Sequence, residues 1–392
     1  MQLPKRIGML MLLLFLLIGT VSAQQSRDSC RLKISLLTCS PGQELYSIFG
    51  HSAFRVVDNV NGRDIIFNYG TFDFNDPDFY SKFVRGKLLY FVSASEYNDF
   101  RYAYAEENRS IIEQSLNLSC EAKERLFRAL LENLQEDNKF YLYDFLFDNC
   151  STRLRDMLVN NSDTGITFKR IIPAITPPTF RHMIHEYLED GNQYWSKLGI
   201  DMLLGKKLDR PVENSEAMFL PDYLMKGFDS AFIGTVPVVG DKRTVLEASA
   251  SETGQTIFRP FVVTLILLII FGGLYFVPWK GKYKILSIFD SIFFLLIGLL
   301  GCLILYMWFG TDHVFCRDNF NLIWALPTHV IVVWFLNKKQ KWVKTYFTIS
   351  ALWYFLLFFT WALLPQDMNS AFMPVVVLLF IRSYARTRSR ST

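Results

Sequence analysis

Cys150 follows Asn149 and precedes Ser151 and Thr152 in the run Phe145-Leu146-Phe147-Asp148-Asn149-Cys150-Ser151-Thr152-Arg153-Leu154-Arg155-Asp156. The residues behind it are helix-compatible, so Cys150 is expected in a first helical turn, where the positive end of the dipole stabilises a thiolate. A thiol nucleophile needs a base that takes and returns a proton, and the base needs a third group to hold its tautomer. His51 is the candidate base. It lies at the open end of an expected hairpin, Ser52–Asp58 returning as Arg63–Gly70 across the turn Asn59-Val60-Asn61-Gly62. If Asp58 pairs with Arg63, His51 stands opposite Gly70, and Asn68 shares its face one diagonal step away. Cys150, His51 and Asn68, the last as orienter, are the expected catalytic set. The plainer alternative is an ordinary buried cysteine and an unrelated strand histidine.

The elements that must hold these residues follow in chain order. Arg31–Thr38 reads as a strand, and Ser40-Pro41-Gly42-Gln43 as a loop before the hairpin. Asp76-Pro77 reads as a helix start running to about Val84. A helix from Ser95 to about Glu107 and a strand over Arg109–Leu118 come next. Ser119 caps a helix over Cys120–Leu134 with apolar Leu126, Leu130, Leu131 and Leu134. Thr179 caps another to about Glu189, Ile200–Leu224 reads as irregular helices, and Asp241–Thr256 as a polar junction.

Charge and hydropathy divide the chain. Residues 256–392 hold 13 Lys/Arg against 4 Asp/Glu, and residues 1–255 hold 28 against 33, so the net +4 splits into +9 and −5. The slightly acidic first part excludes a nucleic-acid surface. Lys5 and Arg6, an apolar run Ile7–Ile18 and Val21-Ser22-Ala23 have the layout of a signal peptide, residues 1–23. Export puts Cys30, Cys39, Cys120 and Cys150 in an oxidising compartment; with Cys150 free, at most two of the other three pair, and the sequence leaves open which. A domain over residues 24–256 and a membrane part over 257–392 are expected. Apolar stretches at about 260–278, 286–309, 321–336, 345–364 and 369–382 suggest five spans. Eleven basic residues in alternate loops against Arg259 and Arg317 opposite put the C-terminus in the cytoplasm. Asn319, Asn321, Gln366 and Asn369 gather on the outer side, either docking against the thiol domain or solvated. Asp290 and His329 lie near span interiors, where structural hydrogen bonds are the first expectation.

Tyr46-Ser47-Ile48-Phe49-Gly50-His51-Ser52-Ala53, Phe67-Asn68-Tyr69-Gly70-Thr71-Phe72-Asp73-Phe74 and Asp148-Asn149-Cys150-Ser151-Thr152-Arg153, joined to a membrane tail, resemble the Lnb-type lipoprotein N-acyltransferases. More broadly, the order histidine then cysteine resembles the circularly permuted, papain-like branch of the NlpC/P60 superfamily that includes lecithin:retinol acyltransferase-like members. The resemblance implies an α+β periplasmic thiol domain followed by an all-α five-span domain in the bacterial inner membrane. It also implies acyl transfer from a phospholipid donor, through a Cys150 thioester, to the α-amine of a lipoprotein's diacylglyceryl-cysteine. Tyr69, Asn149, Ser151 and Arg153, inside the shared motifs, become candidate substrate-binding residues.

No metal or cofactor is expected. His182 and His185, three apart on a helix, lack a nearby third ligand, and the same holds for His313 and Cys316. No Gly-rich phosphate loop is present. The alternative function is a membrane-tethered NlpC/P60-like cysteine peptidase or amidase acting on cell-wall peptides, and a third is a non-enzymatic scaffold. An acyltransferase needs an apolar route toward the bilayer, whereas a peptidase needs an open polar groove.

Overall fold

The computed structural model describes residues 30–249, 258–338 and 340–388. The expected signal peptide and the boundary at 256 lie outside them. The N-terminal part is α+β and the C-terminal part is helical.

Strands β1 (Leu32–Cys39), β2 (His51–Asp58) and β3 (Arg63–Thr71) open the chain. Helix α1 (Phe79–Arg85), strand β4 (Leu89–Glu96), helix α2 (Tyr97–Glu106), strand β5 (Ile111–Leu116) and helix α3 (Cys120–Asn133) come next. After strand β6 (Phe140–Leu142) come helix α4 (Cys150–Asn161) and strand β7 (Ile166–Phe168). Helices α5 (Phe180–Asp190), α6 (Tyr194–Leu203) and α7 (Pro221–Asp229) precede strands β8 (Ala231–Ile233), β9 (Val236–Pro237) and β10 (Val239–Leu246). Seven strands form one sheet in the order β10-β5-β1-β2-β3-β4-β6, and β7, β8 and β9 form a small second one.

The hairpin has the expected register, Asp58 opposite Arg63 and Phe54 opposite Phe67. Period-two alternation sends Phe54, Val56, Phe67 and Tyr69 into a core shared with Leu126 and Leu130 of α3 and Leu154 and Leu158 of α4. Burying each such aliphatic or aromatic side chain contributes roughly 1.5–3 kcal/mol, and this fixes α4 against β2 and β3. Ser119 caps α3 by accepting from Ala122 N, and Thr179 caps α5 by accepting from His182 N. Cys30 is disulfide-bonded to Cys120, which ties the chain before β1 to the start of α3; Cys39 is free and buried.

Three expectations are corrected. Helix α1 begins at Phe79 because Asp76 folds its carboxylate onto the backbone N–H of Asp78, an Asx turn that occupies the chain at Asp76-Pro77. Ser95 and Glu96 remain in β4, paired with Ile66 and Ile65. Asp241–Leu246, the first part of the expected junction Asp241–Thr256, is strand: β10 pairs with β5 at the sheet edge, and Arg243 and Lys242 form ion pairs with Glu113 and Asp229. An edge strand open to solvent carries no apolar period, so its polar composition hid it.

The helical part contains α8 (Pro260–Leu267), which continues through a wide turn to Gly272, α9 (Lys282–Phe309), α10 (His329–Val332), α11 (Lys341–Thr360) and α12 (Phe372–Arg388). Among the described residues two helices, Lys282–Phe309 and Lys341–Leu363, are long and apolar enough to cross a membrane. The stretch over 321–336 is built of short 3-10 and α-helical pieces around Pro327, whose ring cannot continue a regular helix. Buried Asp290 pairs with Arg382 at 2.7 and 3.0 Å and with Arg386 at 2.5 Å. His329 is held between Tyr354 and Tyr346 hydroxyls at 2.7 and 2.8 Å. Both polar groups are therefore satisfied by side chains of neighbouring helices.

The outer-side amides dock the two parts. Asn321 Nδ2 donates to Asp201 O, Asn319 Nδ2 to Met202 O and Leu203 O, Gln366 Nε2 to Leu204 O, and Asn369 Nδ2 to the Asp201 carboxylate. That carboxylate also accepts from buried Arg181 Nη1 and lies 2.8 Å from His185 Nε2.

Candidate active site

The start of α4 is built by one residue used four times. Asn149 Oδ1 accepts from the backbone N–H of Ser151 and Thr152, while Asn149 Nδ2 donates to Phe145 O and Phe219 O. Thr152 Oγ1 returns the bond by accepting from Asn149 N, which completes a capping box. Of the first helical N–H groups, that of Cys150 is the one left without a partner among the described residues. An unclaimed N–H at the positive end of a helix is the donor an acyl oxyanion requires.

His51 opens β2, and its position depends on Gly50. That residue has φ 80°, and a Cβ there would stand 2.7 Å from Cys39 O. Cys39 is the register partner of His51, so Gly50 lets the chain turn tightly into the strand at the point where the base sits. On the facing strand Gly70 has φ 88°, beside a register irregularity between Asn68 and Thr71. Such a bulge re-aims the strand end, and a Cβ on Gly70 would lie 3.8 Å from Cys150 Cβ. The bulge thus brings β3 within van der Waals contact of the thiol residue.

His51 Nε2 stands 3.2 Å from Asn68 Oδ1. The amide oxygen can only accept, so Nε2 carries the proton, and Nδ1 is left for the thiol. Burial works against charge on His51, but the facing Cys150 sulfur, the hydrogen bond to it and the Asn68 bond outweigh burial and raise the imidazole above its ordinary range. Burial likewise works against the Cys150 thiolate. The His51 charge, the His51 hydrogen bond, the Ser52 backbone N–H and Ser151 outweigh it, and the thiol falls below its ordinary range. Each partner is thus shifted toward its charged form, the direction that favours a thiolate–imidazolium pair. Cys39, one strand away and fully buried, is the contrast: burial pushes its thiol up to about 12.

The four candidate substrate-binding residues all make contacts within the protein. Asn149 is the cap already described. Ser151 is fully buried, and its hydroxyl donates to Ser52 Oγ at 3.4 Å. Arg153 forms two bonds with Asp148, at 2.5 and 2.9 Å, and lies over the Tyr141 ring. Tyr69, 1% exposed, sits in the core with its hydroxyl accepting from Asn133 Nδ2.

Sequence reasoning missed Tyr143. Its ring stacks on Tyr90 at 4.2 Å and lies 3.9 Å from where a Cβ on Gly70 would be. The aromatic run ending at Asp144 was its only signal. Tyr143 also lines a cavity of about 160 Å³ with Phe145, Leu146, Leu204, Leu208, His313 and Phe315, between the sheet domain and the loop after α9. A larger cavity of about 730 Å³, lined by polar residues including Glu44, Arg109, Glu186 and Asp190, includes none of Cys150, His51 and Asn68.

No group of His, Cys, Asp and Glu suited to a metal ion occurs among the described residues. His185 is engaged by Asp201, and His182 lies 3.5 Å from Asp367.

Two family models match the chain: the Lnb N-terminal periplasmic domain over residues 20–186 and the Lnb transmembrane domain over residues 252–391. The first takes in His51, Asn68 and Cys150; the second takes in all the apolar helices. No curated protein and no solved structure gives a match.

Proposed function

We propose a reaction for this chain, which belongs to the Lnb family, membrane-bound lipoprotein-modifying enzymes with a periplasmic N-terminal domain and a transmembrane C-terminal domain. It is a lipoprotein N-acyltransferase that moves an acyl chain from a phospholipid to the α-amine of an N-terminal diacylglyceryl-cysteine. The single observation that carries this reading is the Cys150–His51–Asn68 arrangement at the start of α4.

The Cys150 thiolate attacks the ester carbonyl of the phospholipid and the C–S bond forms. The oxyanion takes the Cys150 N–H, which the capping box leaves unclaimed. Collapse breaks the ester C–O bond, and the His51 imidazolium gives its proton to the departing lysophospholipid oxygen. The lipoprotein amine then attacks the thioester. Neutral His51 takes the amine proton, the C–S bond breaks, and an amide and the thiolate–imidazolium pair are left. Asn68 holds Nε2–H throughout, so Nδ1 always faces sulfur.

A papain-like thiol domain, five spans, an inner-membrane location and a cytoplasmic C-terminus complete the proposal. The domain boundary falls near residue 256. The docking of Asp201 onto Asn321 and Asn369 supports a site held against the bilayer, where both substrates reside. The test is to incubate the reconstituted protein with phospholipid vesicles and a diacylglyceryl-cysteine peptide, then weigh the peptide. One added acyl chain, absent with Cys150→Ala, is expected. A cleaved peptide, or no mass change, would sink the proposal.

A further inference from the structure

Helix α1 and the turn before it expose an apolar face that the domain's own core does not need: Phe74 is 63%, Tyr80 78%, Phe83 51% and Val84 41% exposed. Four large apolar side chains on one short segment mark a surface built to be covered. What covers them follows from where α1 is tied. Asp312 N donates to Arg85 O at 2.9 Å, and His313 Nε2 donates to Phe83 O at 2.9 Å. Asp312 is three residues past Phe309, the last residue of the apolar helix α9, where Trp308 and Phe309 stack at 5.1 Å. Stacked aromatics at the end of a spanning helix mark the membrane–water interface. Helix α1 is therefore bonded to the chain at the depth of that interface, on the periplasmic side. Arg85 and Lys87 follow the apolar face, as expected of a segment that meets lipid phosphates; Lys82, within it, is paired with Asp76 at 2.6 Å.

From this face a series of rings leads inward. Phe74 and Phe72 pack on Phe79 at 5.0 and 5.9 Å, Phe72 meets Tyr90 at 5.4 Å, and Tyr90 stacks on Tyr143 at 4.2 Å. Tyr143 and Cys150 flank Gly70.

We propose that the apolar face of α1 is seated in the periplasmic leaflet, and that the ring series from Phe74 to Tyr143 is the route by which a membrane phospholipid's acyl chain reaches Cys150. The route rests on the donor proposed above; the seating of α1 does not.

Two measurements on the full chain in lipid nanodiscs test it. First, Phe83→Trp is compared with the unsubstituted protein in phospholipid with brominated chains. The added tryptophan emission should be quenched. Emission that is water-exposed, or shielded without bromine quenching because a protein partner or second copy covers the face, overturns the seating. Second, Tyr80→Glu and Val84→Glu place charge in that interface. Acylation of Cys150 by bilayer phospholipid, read from intact-protein mass, should fall about tenfold, while Cys150 alkylation by water-soluble iodoacetamide stays within about twofold. Unchanged acylation, or equal loss in both reactions, overturns the route. If the unsubstituted protein is never acylated, the donor is wrong and the route falls with it, while bromine quenching still decides the seating.

Discussion

Asn68 Oδ1 lies 3.2 Å from His51 Nε2, on the shared face of one hairpin, and so takes the Nε2 proton and leaves Nδ1 as the ring nitrogen open to proton exchange. The bond also helps hold the imidazole above its ordinary range. Asn68→Ala should therefore move the alkaline limb of the pH–rate profile to lower pH. A net hydrogen bond of roughly 1–1.5 kcal/mol predicts a loss of about tenfold in rate. The acyl-transfer rate across pH reads this directly, and an unmoved alkaline limb would remove Asn68 as the orienting group.

Cys150→Ala and His51→Ala should each abolish acyl transfer, by about 10⁴-fold or more, with thermal unfolding close to that of the unsubstituted protein. The pH signs follow from the opposite shifts. Cys150 is lowered, so the thiolate is lost as pH falls through its pKa; His51 is raised, so the imidazolium is lost as pH rises through its pKa. A bell lying between the two is expected. A profile that only rises with pH, as for an isolated thiol, would contradict the pair.

The hairpin, its register and the capped start of α4 were legible in the sequence because each is local. Asp58 opposite Arg63 follows from a turn, and Asn149 before Cys150 is a cap whatever lies around it. Edge strand β10 was not, because its partner β5 lies more than a hundred residues away and supplies the order its polar residues lack. The motif residues Tyr69, Ser151 and Arg153, candidates by their nearness in sequence to the nucleophile, pack or pair within the protein. Proximity in sequence to a nucleophile does not say which way a side chain faces, since half of a strand and half of a helix face the core. Tyr143 and Cys150 both lie against Gly70 at the bulge of β3, which no local pattern signalled.

Gly50→Ala should be costly well beyond a missing methyl. The residue would hold φ 80° with its Cβ 2.7 Å from a backbone oxygen, Cys39 O. Left-handed strain alone costs about 1–2 kcal/mol, and relief requires parting β1 from β2 where Cys39 pairs with His51. A lowered melting temperature together with slower Cys150 alkylation is expected. Loss of stability with unaltered thiol reactivity would show that the turn does not position the base.

The Cys30–Cys120 bridge spans 90 residues and ties the chain before β1 to α3. Cys120→Ala should destabilise the periplasmic domain by about 2–5 kcal/mol, read as a lower melting temperature that reductant no longer changes. Insensitivity of the unsubstituted protein to reductant would count against the bridge.

Asp201 is the carboxylate on which the two domains converge. Burial alone would raise its pKa, but the His185 hydrogen bond and charge, Arg181 and Asn369 lower it below the ordinary carboxylate range. A depressed folded pKa contributes stability that is present above the unfolded carboxylate range and lost as pH falls through the folded value. Asp201→Ala removes one partner of a buried pair and should cost about 3–5 kcal/mol; it should also flatten the acid limb of the stability–pH curve. Because Asn369 loses the side-chain contact that ties the loop before α12 to α6, acylation by bilayer phospholipid should fall while iodoacetamide still reaches Cys150 at its usual rate. Equal loss of both reactions would mean that Asp201 supports the thiol domain itself, and that its docking onto the membrane part is incidental.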